Sequence, residues 1–103
     1  MKRAIRMKSA DNVGTVLADC RPGDTVQVVS ESQEPLLKVN VSGPIPFGHK
    51  LALSGIGKGD KIVKYGEVIG EAIQPIEQGD HVHIHNVESA RITIPKKVRE
   101  REG

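Results

Sequence analysis

Three histidines alternate with aliphatic residues near the end of the chain, in the segment His81-Val82-His83-Ile84-His85. Successive side chains of a β-strand point to opposite faces, so in a strand the histidines would share one face. If Val82 and Ile84 pack into the core, the imidazoles must face solvent, a ligand or another chain. Imidazole exchanges protons near neutral pH and binds metal ions. This segment is therefore the first candidate for chemistry.

Alternating histidines also have a spacing that suits a metal ion. Residues two apart on one strand face lie about 6.5 to 7 Å apart, so two imidazoles can converge on one ion. A complete site needs at least one further ligand, which the sequence does not identify. His83 and His85 could therefore be metal ligands, contacts to a substrate or another subunit, or polar residues of an edge strand without a role.

Two other short segments place polar groups beside glycine. Gly48 precedes His49 and Lys50, and a glycine there allows a sharp turn that presents both side chains from one loop. Lys64 and Tyr65 also precede a glycine, and they offer an ammonium and a phenol that could hold an anionic substrate. Each segment could equally be an ordinary turn, and Tyr65 could belong to the core.

The composition indicates one small domain over residues 1–103 and argues against nucleic-acid binding. The net charge is +2 and opposite charges are interspersed along the chain. The aromatic residues are Phe47 and Tyr65, whereas nucleic-acid binders combine a concentrated basic face with stacking aromatics. A core made of Val, Ile, Leu and Ala favours β-strands.

Neither a secretory signal nor a membrane span is expected. The basic N-terminus lacks an apolar run of signal-peptide length, and no segment approaches a membrane span. The single cysteine, Cys20, excludes an internal disulfide and indicates a reducing compartment. Because it stands at an apolar position, we expect a buried, inert thiol. We therefore expect a cytoplasmic protein.

One short pattern occurs three times, and it sets the expected architecture. Two apolar residues three apart are followed by a Gly-Asp turn and then by a β-branched residue that opens a strand. The uneven spacing of the copies indicates a compact β domain that reuses one turn, not a solenoid. The copies are Leu17/Cys20/Gly23/Asp24/Val26, Leu53/Ile56/Gly59/Asp60/Ile62 and Ile73/Ile76/Gly79/Asp80/Val82.

Alternation predicts further short strands at residues 37–41, 50–53, 68–72 and 91–94. Gly70 within the third of these suggests a bulge or a close backbone approach. The proline-rich residues 42–46 read as an extended connector, and the charged tail 96–103 as solvated and mobile. Seven to nine short strands with hardly any helix favour an all-β barrel or sandwich.

Taken together, these segments resemble the SAF-type domain of the altronate/galactarate dehydratase family. The resemblance spans residues 11–88 and implies an SAF-like β-clip, an all-β fold of short strands and hairpins. The segments in order are Asp11-Asn-Val13, Ile45-Pro-x-Gly-His-Lys-x-Ala-Leu53, Gly59-Asp60, Val63-Lys-Tyr-Gly66, Val68-Ile-Gly70 and Val82-His-x-His-Asn86.

The resemblance implies the small subunit of a hydro-lyase that assists elimination from a sugar acid or related hydroxy acid. A large catalytic subunit would be the partner, and the Fe(II) or other divalent metal would be held mainly by that subunit. The charged tail looks like a natural terminus and favours this interpretation over an excised domain. The alternatives are the small subunit of a sulfolactate sulfo-lyase and a non-catalytic SAF-type module. Self-association is left open.

Matching the family motif position by position gives the candidate site. His83 and His85 are the candidate catalytic residues, with metal binding as their alternative role. His81 lies where the family varies, so we rank it below its neighbours. The candidate substrate-binding residues are His49, Lys50, Lys64, Tyr65 and Asn86.

Three expectations follow for experiment and structure. The isolated chain should lack dehydratase activity, because so small a domain cannot enclose a substrate and exclude water. Val82 and Ile84 should be buried, while His83 and His85 reach an open face. Truncation of Ile84 to alanine should then cost about 2 to 5 kcal/mol of stability.

Overall fold

The computed structural model describes residues 1–89 and shows an all-β protein, as predicted. Within that range there is no helix, and so none long and apolar enough to cross a membrane. The nine strands are β1 (Lys2–Arg6), β2 (Val13–Val16), β3 (Thr25–Ser30), β4 (Pro35–Asn40), β5 (Lys50–Ala52), β6 (Lys61–Lys64), β7 (Glu67–Ala72), β8 (His81–Val82) and β9 (Val87–Ser89). The predicted strand 91–94 and the tail 96–103 lie outside the described residues.

Six of the strands form the larger sheet, in the order β4-β3-β1-β2-β5-β8. The first strand lies in its interior, parallel to β3 and antiparallel to β2. The short edge strand β8 pairs with β5, so that Leu51 lies opposite His81. This pairing brings the histidine segment beside the loop that carries His49.

The other three strands form a small sheet in the order β6-β7-β9. The β6–β7 hairpin changes register between Ile62 and Val63, where it carries the expected bulge. Gly70 is also the expected close approach, because a Cβ atom there would lie 2.7 Å from both the Glu88 carbonyl oxygen and a Val87 methyl group. The glycine therefore allows β9 to pair with β7.

Two separate clusters of buried side chains make up the core, and both are almost entirely aliphatic. The first lies mainly under the larger sheet, and Cys20 is one of its members, as expected of a buried thiol. The second joins β2, β5 and β8 to the β6–β7 hairpin. Its buried members are Val13, Ala52, Ile56, Ile62, Ala72, Ile76 and Val82.

The predicted turn occurs four times in the structure, once more than the sequence indicated. We call these turn 1 (residues 17–26), turn 2 (42–51), turn 3 (53–62) and turn 4 (73–82). Each has a glycine at positive φ, between 85° and 96°, at the third position of a hydrogen-bonded reversal. This conformation suits glycine because it has no Cβ atom. The glycines are Gly23, Gly48, Gly59 and Gly79.

Each turn makes two backbone hydrogen bonds with the residue directly before another turn, so the turns form two reciprocal pairs. Turn 1 bonds to Val41 through the Gly23 N–H and the Asp24 carbonyl, and turn 2 bonds to Val16 in the same way. Turns 3 and 4 repeat the exchange through Ala72 and Ala52. All eight bonds measure 2.8 to 3.0 Å. The predicted connector 42–46 is thus the first half of turn 2.

Turn 2 differs from the others in the hydrogen bond made at the start of its tight reversal, residues 46–49. In turns 1, 3 and 4 the aspartate after the glycine accepts the N–H of the residue three positions earlier, at 2.8 to 2.9 Å. In turn 2 that earlier residue is Pro46, which has no N–H to donate. His49 occupies the aspartate position, so its side chain is free to point elsewhere.

Candidate functional site

Three imidazoles meet at the edge of the larger sheet. His49 comes from turn 2, His81 is the first residue of β8, and His83 directly follows that strand. The Nδ1 atom of His49 lies 2.9 Å from the Nε2 atom of His81. One ligand nitrogen from each ring lies within 4.8 Å of those from the other two. We refer to His49, His81 and His83 as the histidine cluster.

Asn86 holds two members of the histidine cluster in position. Its buried side-chain amide accepts the His83 N–H at 2.9 Å and donates to the His81 carbonyl at 2.8 Å. Its own N–H donates to the His83 carbonyl at 3.0 Å and closes a turn. The amide of Asn86 is therefore committed to the backbone, and its proposed contact with substrate stays a prediction.

The Asn86 turn also corrects the predicted strand over residues 81–85. The strand ends at Val82, which is fully buried as predicted, and residues 83–86 turn back toward β9. Ile84 lies at the turn and is 81% exposed, so its predicted burial is wrong. Alternation fails here because the Asn86 hydrogen bonds replace the ladder that would have continued the strand.

The candidate histidines occupy different environments. His83 is half-buried and its ring centroid lies 4.7 Å from that of His49. His85 is exposed, and its ring centroid lies 5.4 Å from that of His81. It is not a member of the histidine cluster. His81, ranked lowest from the sequence, is central, because it contacts all the others. The open face predicted for His83 and His85 is thus present.

Burial and neighbouring positive charge favour the neutral form of two histidines. Burial, followed by the electrostatic effect of three neighbouring imidazoles and of the Lys50 ammonium, lowers the pKa of His81 to about 4. Burial, followed by His49 and Lys50, lowers the pKa of His83. The pKa of Lys50 is lowered as well, chiefly by burial and then by Lys64. At pH 7 His81 and His83 are therefore neutral and can accept a proton or donate a lone pair.

A cleft of about 580 Å³ brings four of the predicted site residues together. Lys50, Lys64, Tyr65 and His83 all line it. The Lys64 ammonium lies 5.3 Å from the Tyr65 ring centroid. An anion in this cleft would meet two lysines and an imidazole, together with one carboxylate, that of Glu67. His49 reaches the same region only through its contact with His83.

The position of Tyr65 depends on a buried carboxylate. Tyr65 has a positive φ of 57°, a conformation unusual for a residue with a side chain. Asp11 accepts the N–H of Tyr65 at 2.9 Å and that of Gly66 at 2.8 Å. Asn12 continues this brace by accepting the Val63 N–H at 2.9 Å. The Asp11-Asn12 pair therefore positions one wall of the cleft.

Apolar side chains form the outer rim of the same cleft. Tyr65 is 53% exposed, Val68 52% and Ile84 81%, although all three are large and apolar in the main. Exposed apolar groups beside a polar cleft are typical of surfaces that bind another molecule. The rim and the cleft together form one continuous candidate surface.

Comparison with known proteins identifies the family of this chain. The altronate/galactarate dehydratase SAF domain matches residues 2–90. The altronate dehydratase of Bacillus subtilis is 38% identical over 86% of this chain, which spans 17% of that protein. The (2R)-sulfolactate sulfo-lyase subunit alpha of Chromohalobacter salexigens is 37% identical over 79% of this chain and 87% of its own length. The chain therefore belongs to the altronate/galactarate dehydratase SAF domain family.

Proposed function

We propose that this chain is the small subunit of a lyase and assists elimination from a sugar acid or a related hydroxy acid. The observation that carries the proposal is the cleft in which Lys50, Lys64, Tyr65 and His83 converge. An acidic substrate matches two ammonium groups better than a neutral one, because carboxylates form charge-assisted hydrogen bonds with lysine.

The residues of the cleft suit the chemistry of β-elimination. The reaction needs a base that removes the proton next to the carboxylate and an acid or metal that helps the leaving group depart. His83 is neutral at pH 7 because its pKa is lowered, so it can act as the base. Lys50 and Lys64 would hold the carboxylate, and the exposed His85 would reach substrate only from the rim.

A larger catalytic subunit is the proposed partner. Elimination chemistry requires a site from which water is excluded, and a cleft on the surface of a small domain does not exclude it. The exposed rim of Tyr65, Val68 and Ile84 is the surface that we assign to this partner. Fe(II) or another divalent metal would be held mainly by the partner. The reducing cytoplasm, where the free thiol of Cys20 is stable, is the proposed location.

The small subunit of a sulfo-lyase is the second candidate. This chain matches 87% and 81% of the length of two sulfolactate sulfo-lyase alpha subunits, against 17% and 15% of two altronate dehydratases. In that case sulfite, not water, would leave. The same cleft could bind either acid, so the leaving group has to be measured.

Reconstitution tests the proposal. We expect no turnover by the purified chain alone, and turnover once a large subunit of the same lyase family is added with a divalent metal. Altronate, galactarate and (2R)-sulfolactate are the substrates, and keto-acid or sulfite release is the readout. Activity of the isolated chain would contradict the division of labour. Full activity of the large subunit alone would show that this chain is a non-catalytic module.

Charge variants then test the cleft within the active complex. Lys50→Gln and Lys64→Gln should each raise KM by about tenfold or more, the loss of one charged hydrogen bond. Lys58→Gln is the matched control, because Lys58 is exposed and does not line the cleft. Equal KM values for all three variants would show that the substrate does not bind in this cleft.

A further inference from the structure

We propose that the histidine cluster binds one divalent transition-metal ion on this chain itself. The proposal concerns His49, His81 and His83, and it does not depend on the lyase reaction or on a metal held by a partner. While the ion is bound, the His83 lone pair is engaged as a ligand, so His83 acts as a base only in the metal-free chain. It differs from the pairing of His83 with His85 that strand alternation suggested.

The nitrogen positions are close to those that a metal ion requires. Two imidazole nitrogens bound to one ion at 2.0 to 2.1 Å lie about 2.8 to 3.4 Å apart, for octahedral or tetrahedral angles. The His49 and His81 nitrogens are already 2.9 Å apart. The ligand nitrogens of the cluster all lie within 4.8 Å of one another. Rotation of the His83 ring by its side-chain torsions would close the remaining gap.

The backbone fixes all three ligands before any ion binds. His49 follows the positive-φ glycine of turn 2, and His81 is paired with Leu51 across β5 and β8. His83 is fixed by its N–H bond to Asn86. A site whose ligands come from such hydrogen-bonded positions loses little conformational entropy on binding.

The ligand set selects the class of ion. Three imidazoles suit zinc, cobalt, nickel, copper or iron, whereas magnesium and calcium prefer oxygen ligands. Within the part of the chain that the structure describes, no carboxylate or thiolate joins the cluster. A bound dication would keep its full charge and at least one open coordination position. His83 also lines the cleft, so an anion held by Lys50 could complete the coordination.

Metal titration of the full chain tests the proposal. The metal-stripped protein is titrated with Zn²⁺ by calorimetry and with Co²⁺ by its visible absorption, without a partner or substrate. We expect one ion per chain. His49→Ala, His81→Ala and His83→Ala should each weaken binding by more than about a hundred-fold, beyond the effect of losing an outer-sphere partner.

His85→Ala is the matched control, since His85 lies next to the cluster but outside it, and it should bind the ion as the parent chain does. Thermal melts of each apoprotein show whether the variant is folded, and His81→Gln replaces the alanine variant if that one unfolds. Zn²⁺ should raise the Tm of the parent chain and of His85→Ala only. Absence of binding, or binding that the three substitutions leave intact, would overturn the proposal.

Discussion

Asn86 connects the stability of the fold with the geometry of the candidate site. It is 3% exposed, and its side-chain amide bonds to the backbone of both His81 and His83. The match to the family motif made Asn86 a candidate for substrate binding. In the structure its buried amide positions the backbone of the histidine cluster.

Replacement of Asn86 by alanine should lower both stability and metal affinity. The backbone groups of His81 and His83 would lose their partner, and we expect the free energy of unfolding to fall by about 1 to 3 kcal/mol. Metal affinity should fall by about 10- to 100-fold. Urea denaturation and Zn²⁺ titration measure the two effects. His85→Ala serves as the control, with a stability change below about 0.5 kcal/mol.

Truncation to alanine should affect stability little at Ile84 and strongly at Val82. Ile84→Ala should change stability by less than about 0.5 kcal/mol because its side chain is 81% exposed. Val82→Ala removes two buried methyl groups and should cost about 2 kcal/mol. Denaturation curves distinguish the two. A large loss for Ile84→Ala would show that the turn packs against the core.

Among the elements, turns 1, 3 and 4 are the part of the fold that the sequence predicted best. Gly-Asp after a three-residue apolar spacing located turns 1, 3 and 4, because the glycine and the aspartate that shape each reversal are themselves part of the local sequence. Turn 2 was missed as a copy, since Ser42 and His49 replace the apolar residue and the aspartate of the pattern. The end of β8 was also missed, because it depends on the hydrogen bonds of Asn86.

Two glycine substitutions separate backbone strain from steric overlap. Gly59 and Gly79 have nearly the same φ, 90° and 96°. A Cβ atom at Gly59 meets nothing within 4 Å, whereas one at Gly79 overlaps the Asn40 carbonyl oxygen. Gly59→Ala should cost about 1 to 2 kcal/mol, and Gly79→Ala at least about 2 kcal/mol more. Equal losses in urea denaturation would mean that Asn40 moves away freely.

At the scale of the whole molecule, composition and alternation predicted the all-β class but not the assembly of the sheets. β1 lies in the interior of the larger sheet, yet its short basic sequence shows one fully buried residue, Ala4. Its place depends on parallel pairing with β3, which no local pattern encodes. The meeting of His49 with His81 has the same origin, because it needs the β5–β8 pairing across 32 residues.

The stability of the metal-free protein should depend on pH below neutrality. The folded-state pKa of His81 is about 4, below its ordinary value of 6.5. Between these values the unfolded chain binds more protons, so stability is retained above about pH 6.5 and falls as pH drops toward 4. Thermal melts in chelator from pH 7.5 to 4.5 measure this loss. His81→Gln should reduce the slope, and an unchanged slope would assign it to other groups.

The proline of turn 2 has a consequence for how such a site could arise in evolution. At the equivalent positions of the other turns, losing the aspartate would leave a backbone N–H without its carboxylate partner. Pro46 removes that donor, so position 49 no longer has to serve the backbone. Proline before histidine is thus the less costly order of substitution. A repeated turn, once released from its own hydrogen bond, provides a position where selection can introduce a new ligand without loss of the fold.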